Sequence, residues 1–580
     1  MDDTQAIDPF GQHAPDMPWL QAYPANVPWE TAYTPCPLHQ ILDDAVAKFP
    51  NRPCATFLGR TETYADIGAA VERAAAALAG LDVGPGTRVG LMLPNCPTFI
   101  VYYFATLKLG GVVVNYNPLY SLDELTEQVR DSGTDLMVTL DLKVLFEKTE
   151  TLIQNETLPR ALVGSFAGLL PPLKATLFRL LKGGDLANVK SSPVRGRIVL
   201  EADALKAGKP YTAADIDPEQ DIAVLQYTGG TTGTPKGAML THANLSVNTM
   251  QVASWAPDLT EGEERVLGAL PFFHVFAMTV VMNYAILRGA EIVMMPRFVL
   301  DDALKLITKH KPTVMPGVPT MYNAMMNHPK LASFDLSSLK FCLSGGAALP
   351  LDVKRQFEKL TGCTLVEGYG LSETSPVATA NPIGGPVKES SIGLPLPQTR
   401  ISLRDLDDPI KVVPDGERGE ICIAGPQVMK GYWNNEAATE AAFVGAYFRT
   451  GDVAVMDDEG FFYIVDRIKD LIICSGFNVY PRRIEEAIQE FPPVDEVTVI
   501  GVPDDYRGES PKAFVKLRDG QAATADELMA FLEPKLSKIE MPSAIEFRDE
   551  LPKTMIGKLS KKELKQEEAE KAGAASTEPA

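Results

Sequence analysis

The chain has 580 residues, too many for one hydrophobic core, so two or more domains are expected and a single small binding module is excluded. Apolar residues make up 45% and charged residues 22%, which excludes wholesale disorder and a bundle of membrane spans. With 54 basic against 75 acidic side chains the net charge is −21; a nucleic acid would be repelled, and none is expected as a partner.

Pro9, Pro15, Pro18, Pro24 and Pro28 mark a lead-in, after which strand-like and helix-like stretches alternate. Arg88 to Leu93 is predicted as a strand, Pro97 to Leu109 as a helix, Val112 to Val114 as a strand, Leu122 to Arg130 as a helix and Leu136 to Leu140 as a strand. The order returns at Arg265 to Leu270, Val275 to Leu287, Ile292 to Met295, Asp301 to His310 and Thr313 to Met315. Such alternation predicts two parallel sheets covered by helices, an α/β architecture. From about Gly393, short strands broken by Gly and Pro predict a small antiparallel β-barrel or meander. The last hundred or so residues predict a small α+β domain, with a helix at Arg483 to Glu490, strands at Glu496 to Gly501 and Ala513 to Leu517, and a helix at Ala525 to Leu536. The Lys/Glu/Ala-rich end is expected to fray, with a disordered tail over 567–580.

Seven cysteines, none in a CxxC pair, point to neither a disulfide framework nor a zinc site and fit a reducing cytosol. Neither a secretory signal nor a spanning segment is expected. Ala161 to Lys182 sets Lys174, Arg179 and Lys182 among leucines and a phenylalanine. That is the pattern of a basic amphipathic surface helix, which either packs on its domain or touches the inner face of a membrane.

The strongest motif is Tyr227-Thr228-Gly229-Gly230-Thr231-Thr232-Gly233-Thr234-Pro235-Lys236-Gly237 after the apolar run Ile222 to Leu225. Glycines let successive N–H groups and threonine hydroxyls converge on an anion, and Lys236 adds a mobile cation; this is phosphate-binding chemistry. It is not a Walker loop, because Gly237 follows the lysine. Glu373, after Gly368-Tyr369-Gly370-Leu371-Ser372, is a hard oxygen donor suited to Mg²⁺, and Tyr369 offers a ring for a base. Taken singly, Glu373 would be a solvated loop carboxylate, Asp452 an ordinary turn aspartate, His274 a packed core histidine and Lys558 surface.

Together with Tyr447-Phe448-Arg449-Thr450-Gly451-Asp452, Asp466-Arg467-Ile468-Lys469-Asp470, Ser475-Gly476-Phe477-Asn478-Val479-Tyr480-Pro481 and Pro552-Lys553-Thr554-Met555-Ile556-Gly557-Lys558, these motifs resemble, in order, those of the adenylate-forming enzymes, which include acyl-CoA synthetases and firefly luciferase. The resemblance runs from about Leu38 to Leu564. It implies a large N-terminal domain over 1–465, a hinge at 466–470 and a mobile C-terminal domain over 471–566. Implied catalytic residues are Lys558, Lys236, Thr228 and Glu373, with Thr228 and Glu373 on Mg²⁺. Implied nucleotide contacts are the Thr228–Gly233 loop, Lys236, Gly345, Gly346, Ala347, Glu367, Gly368, Tyr369, Gly370, Ser372, Asp452, Ile464, Arg467 and Lys558. His274, Val275, Gly317, Gly345 and Gly370 would border the acyl group, and Lys469, Ser475, Gly476 and Phe477 the CoA. The departures are mild: Ser372 stands where Thr is common, and Ser560 where a basic residue is often seen.

Trp19-Leu20-Gln21-Ala22-Tyr23-Pro24-Ala25-Asn26-Val27-Pro28 and details of the glycine loop look most like bacterial long-chain fatty acid–CoA ligases. The implied reaction uses ATP, Mg²⁺ and CoA to turn a fatty acid into acyl-CoA, through acyl-AMP. Alternatives are an acyl-AMP ligase loading another acceptor, an enzyme for medium-chain or aryl acids, a luciferase-like oxygenase and a non-catalytic acyl sensor. A homodimer is left open.

Overall fold

A computed structural model describes residues 17–228, 235–475, 477–504, 506–553 and 559–575, with the backbone alone for 572–575. The chain divides into two compact units, one of 19–400 with 424–443, the other of 401–423 with 444–580 and the first 18 residues.

Among the described residues the larger unit holds two sheets. In the seven-stranded one, Arg88–Leu91, Val112–Asn115 and Leu136–Leu140 lie side by side and parallel, and Ile222–Thr228 joins them through Val112–Asn115. The nine-stranded sheet carries the parallel set Arg265–Gly268, Glu291–Met294, Val314–Gly317, Phe341–Ser344 and Thr364–Gly370. Both sheets are the predicted ones. Their strands are apolar on both faces (Val112–Asn115 and Leu136–Leu140 are buried throughout) because helices cover both sides of a parallel sheet. Caps fix where the covering helices begin: Ser121 and Glu124 form a capping box before Leu122–Ser132, and Thr241 and Asn244 one before His242–Trp255.

In the other unit, Gly419–Ala424, Tyr447–Met456 and Phe462–Arg467 pair antiparallel, as the Gly/Pro-broken texture predicts. Compactness groups these strands with the C-terminal α+β part. That part has the long antiparallel pair Val494–Asp504 and Gly508–Leu517, and the helices Pro481–Gln489 and Ala525–Leu532.

Two expectations are corrected. Within Ala161 to Lys182 only Pro172–Lys182 is α-helix; Ala161–Gly164 is a buried strand of the seven-stranded sheet, because a four-residue apolar run between turns fits between two parallel neighbours, Leu136–Leu140 and Ile198–Leu200. The expected tail is not frayed at 567 but helical over Lys561–Ala575, since Leu564 buries fully beside Ile500, Phe514 and Leu551. No described helix is long and apolar enough to cross a membrane.

Candidate functional site

Thr228 ends one strand and Lys236 begins the next, and the two face each other in antiparallel register. The hairpin thus presents the ends of the glycine loop at one place; Gly229, Gly230, Thr231, Thr232 and Gly233 lie outside the described residues. Gly237 lies under the Tyr227 ring, where a Cβ would come within 3.1 Å of Cζ, and the Tyr227 hydroxyl donates to Asp131. Burial, then the Asp131 carboxylate, pushes that phenol far above its ordinary pKa, so it stays a donor.

The Lys236 ammonium lies 5.2 Å from the centre of the Tyr432 ring, and Tyr432 donates its hydroxyl to Glu373 Oε1 at 2.9 Å. Tyr432 is the residue that sequence reasoning missed. It arrives on the segment Met429 to Trp433, whose backbone bonds to the hairpin (Met239 N to Gly431 O at 2.9 Å, Trp433 N to Gly237 O at 2.8 Å) and to Glu373 (Met429 N to Glu373 O at 2.8 Å). The aromatic run Gly431-Tyr432-Trp433 beside a glycine was the available signal. Burial, then Glu373, raises the Tyr432 phenol far above its ordinary range, leaving it neutral next to the carboxylate. Glu373 is a buried carboxylate, and a single carboxylate is a donor Mg²⁺ accepts, because that ion keeps waters and phosphate oxygens for its other positions.

Gly345 and Gly346 follow the strand Phe341–Ser344, and Gly317 ends the neighbouring strand. A Cβ at Gly345 would approach the Phe276 ring to 3.0 Å, one at Gly317 the Tyr322 ring to 2.9 Å, and one at Gly370 the Pro376 carbonyl oxygen to 1.8 Å. These glycines are required by close approach, and Gly346 also by its φ of +82°. Glu367 stands beside Ser344 in register, Gly368 beside Ala380 and Tyr369 beside Thr379. Ser372 opens the short 3₁₀ turn that carries Glu373. Ala347 lies in the loop beyond Gly346.

His274 caps the helical segment that begins at Val275, its Nδ1 accepting from the Phe276 N–H at 3.3 Å. Its loop is pinned by buried amides: Asn95 donates to the Gly268 and Leu270 carbonyls and accepts from Phe272 N, and Gln226 donates to the Phe273 carbonyl. Beyond it, Met278–Asn283 is π-helical, an irregularity common at functional sites.

Behind Gly317 and Gly345 lies a wholly apolar cavity. Pro316 lines it from the strand ending at Gly317 and Leu343 from the strand before Gly345, Val280 and Tyr284 from the helical segment after His274, and Val252, Trp255 and Ala256 from the end of the helix His242–Trp255 and its C-cap. The i, i+3, i+4 spacing of the last three sets one helix face on the cavity.

In the other unit, Asp452 is buried and pairs with Arg467, Nε to Oδ1 2.9 Å, its partner across the strands. Arg449 and the Gly451 N–H both bond Glu420, which holds the turn before Asp452. Ile464 faces Ala454 on the adjoining strand. Lys469 sits in the 3₁₀ turn Ile468–Asp470; burial, then Arg467, lowers its pKa. Asp466 accepts from the backbone N–H groups of Arg467 and Arg482, both at 2.8 Å, and burial raises its pKa. Ser475 turns the chain at φ +53° into Phe477, which is 63% exposed. Gly476 and Lys558 lie outside the described residues; the segment carrying Lys558 is flanked by a bridge from Lys553 to Leu559. Among the described residues no cluster of three or more His, Cys, Asp or Glu could hold a metal.

The family described as AMP-binding enzyme matches residues 42–433, and its C-terminal domain matches 483–558. A long-chain-fatty-acid–CoA ligase of Bacillus subtilis (strain 168) is 46% identical over 562 residues, covering 95% of this chain and 98% of its own. The ligase of the same name from Escherichia coli O6:H1 is 38% identical over 95% and 98%. A solved anthranilate CoA ligase in complex with anthranoyl-AMP superposes with a TM-score of 0.79 at 26% identity, covering 93% of this chain and 98% of that one. The chain belongs to the AMP-binding, adenylate-forming enzymes, and like the ligases of that family it works with ATP, Mg²⁺ and CoA.

Proposed function

We propose that this chain is a long-chain fatty acid–CoA ligase. The observation that carries this reading is the 46% identity to a long-chain-fatty-acid–CoA ligase over 95% of this chain; the apolar cavity lined by Pro316 and Leu343, about 30 Å³ as it stands and without a charged side chain, is where an acyl chain would open its space. A carboxylate oxygen of the acid attacks the α-phosphorus of ATP, forming the acyl–phosphate bond as pyrophosphate leaves with the electron pair. The CoA sulfur then attacks the acyl carbon, its proton is lost to solvent, and AMP departs. Thr228, Thr231, Lys236 and Lys558 hold the negative charge that builds on the transferring phosphoryl group. Glu373 and Thr228 would hold Mg²⁺, which when bound neutralises phosphate charge. Tyr432 fixes the Glu373 carboxylate, and Asp452 with Arg467 meets the ribose hydroxyls. The turn at 466–470 is the hinge on which 471–566 moves, bringing Lys469, Ser475, Gly476 and Phe477 to CoA. A panel of fatty, medium-chain and aryl acids assayed for AMP and acyl-CoA should show the highest kcat/KM on long-chain acids. A clear preference for aryl acids, or AMP release without acyl-CoA, would overturn this.

The substrate dissolves in bilayers, and the helix Pro172–Lys182 suits one. Leu173, Leu180 and Leu181 are each 75% exposed or more, and Lys174, Arg179 and Lys182 stand among them without an acidic residue. Each such cation contributes about 1 kcal/mol near an anionic surface. Changing all three to Glu should reduce sedimentation with anionic vesicles; unchanged sedimentation would overturn the membrane role and leave a packed helix, and a loss of dimer in its place would assign the face to a second copy of the chain.

A further inference from the structure

The segment Trp19 to Leu38 runs along the helix His242–Trp255 in the opposite direction. Leu38 N donates to His242 Nδ1 at 3.0 Å, Cys36 N to Ser246 Oγ at 3.4 Å, the Tyr33 hydroxyl lies 2.6 Å from Ser254 Oγ, and the Tyr23 ring packs edge-on to Trp255 at 5.3 Å. Residue numbers rise on one and fall on the other, so the segment is a strap laid along the helix rather than a single contact. Its free turn is filled by rings: Trp29 lies 5.6 Å from Tyr23 and 6.0 Å from the buried Trp19.

The same helix lines the apolar cavity, and Trp255 belongs to both surfaces. Its indole is tethered at one point by Nε1 donating to the Asn381 carbonyl at 3.0 Å. The strap also grips the far wall. The Tyr23 hydroxyl donates to the Pro395 carbonyl at 2.9 Å, next to the cavity-lining Leu396, and Gln398 Nε2 donates to the Thr31 carbonyl at 2.6 Å. Tyr23 therefore ties Trp255 to Pro395, 140 residues away in sequence and next to the lining residue Leu396.

We propose that this strap, with Tyr23 as its positioning residue, sets the position of the Trp255 wall and so limits the length of acyl chain the cavity accepts. The inference rests on this cavity, about 30 Å³ as it stands, being the place where the acyl chain opens its site. A cavity wall made of one indole backed by a second layer of rings cannot retreat, whereas the same indole without the Tyr23 ring can swing outward by the width of a methylene or more. Interiors resist such changes because they are close-packed, and selectivity between homologous chains is governed by differences of this size.

The test is kcat/KM over saturated acids from hexanoate to eicosanoate for Tyr23→Ala, Tyr23→Phe, Trp29→Leu and Leu343→Trp. Tyr23→Ala should raise the ratio of eicosanoate to decanoate on the order of 10-fold, through KM for the long acid, with kcat on hexanoate unchanged. Tyr23→Phe keeps the ring and should stay near the parent profile. Should Tyr23→Ala fail to fold, Trp29→Leu, one ring further out, should shift the ratio in the same direction by a smaller factor. Leu343→Trp fills the cavity from the opposite side and should shorten the longest accepted acid. A uniform loss of kcat at every length in the strap variants, with Leu343→Trp still shortening the profile, would overturn the role of the strap and leave the acyl cavity standing. No change of profile in any variant, Leu343→Trp included, would overturn both.

Discussion

The strap at one end of the chain and the helix Lys561–Ala575 at the other are fastened by opposite chemistry. Rings and neutral hydrogen bonds hold the strap, among them a histidine that accepts from a backbone N–H. Ions dominate around the terminal helix: Lys561 pairs with Glu485 at 2.9 Å, Lys565 with Asp470 at 3.1 Å, Glu568 with Lys512 at 2.8 Å and Glu567 with Arg548 at 2.6 Å. Burial works against the charge on both Lys561 and Asp470. Even so, Glu485 and the aspartates hold the Lys561 pKa up, and the two lysines hold that of Asp470 down. The contrast is one of medium: close-packed rings resist separation because it costs buried area, whereas partly exposed ion pairs are contacts that water and salt can replace at little cost.

The largest effect that this contrast predicts is a split between half-reactions. If the proposed rotation about 466–470 carries Lys558 in and out of the site, Lys558→Ala should lower acyl-AMP formation on the order of 10² to 10³, while conversion of supplied acyl-AMP to acyl-CoA stays near the parent rate. Single-turnover measurement of each step decides it. Equal losses in both would mean that Lys558 serves one fixed arrangement and that the mobile part is no more mobile than the strap.

Next in size is acid loosening of the strap alone. Burial, then the neighbouring His39, holds the His242 pKa down to about 3, and its Nδ1 must be unprotonated to accept from Leu38. In the unfolded chain the group titrates near 6.5, so between roughly pH 6.5 and 3 the unfolded state binds more protons and stability falls as pH falls. The contribution is complete above about 6.5 and is lost at about 1.4 kcal/mol per pH unit below it. Hydrogen exchange of the strap amides should follow that slope, and His242→Gln, which keeps an acceptor but does not titrate, should flatten it. An unchanged slope in the variant would place the acid sensitivity elsewhere.

The α/β repeat, the antiparallel texture after Gly393 and the order of the motifs were legible because each is local: a period, a turn residue, a short string. What escaped was long-range or ambiguous at short length. Tyr432 meets Glu373 across 59 residues with no periodic signal, and nothing in Trp19 to Pro28 says that its partner is Trp255. Ala161–Gly164 was absorbed into a helix because four apolar residues fit either a buried strand or a helix. Lys/Glu/Ala composition describes a solvated chain and so predicts a tail where the terminal helix lies. Only Leu564 in its small core, and acidic partners on other elements, turn that composition into an ordered segment.

The smallest predicted effect separates the two ends most directly. At 1 M salt the Debye length shrinks to about 3 Å, from about 10 Å at 0.1 M, so partly exposed ion pairs weaken while ring contacts do not. Exchange protection of the described backbone over Lys561–Ala575 should therefore fall by less than about 1 kcal/mol as salt rises, and protection over Trp19–Leu38 should hold. Lys561→Met sharpens the comparison. It leaves Glu485 without its cation and should lower protection of the terminal helix by about 1 to 2 kcal/mol, less than a deeply buried pair would cost because both side chains are 21% exposed. In that variant the remaining salt dependence should shrink, since one of the pairs that salt screens is already gone. Equal salt dependence at the two ends would show that the strap also relies on charge, and a terminal helix indifferent to both salt and Lys561→Met would show that Leu564 and its small core hold it by packing alone.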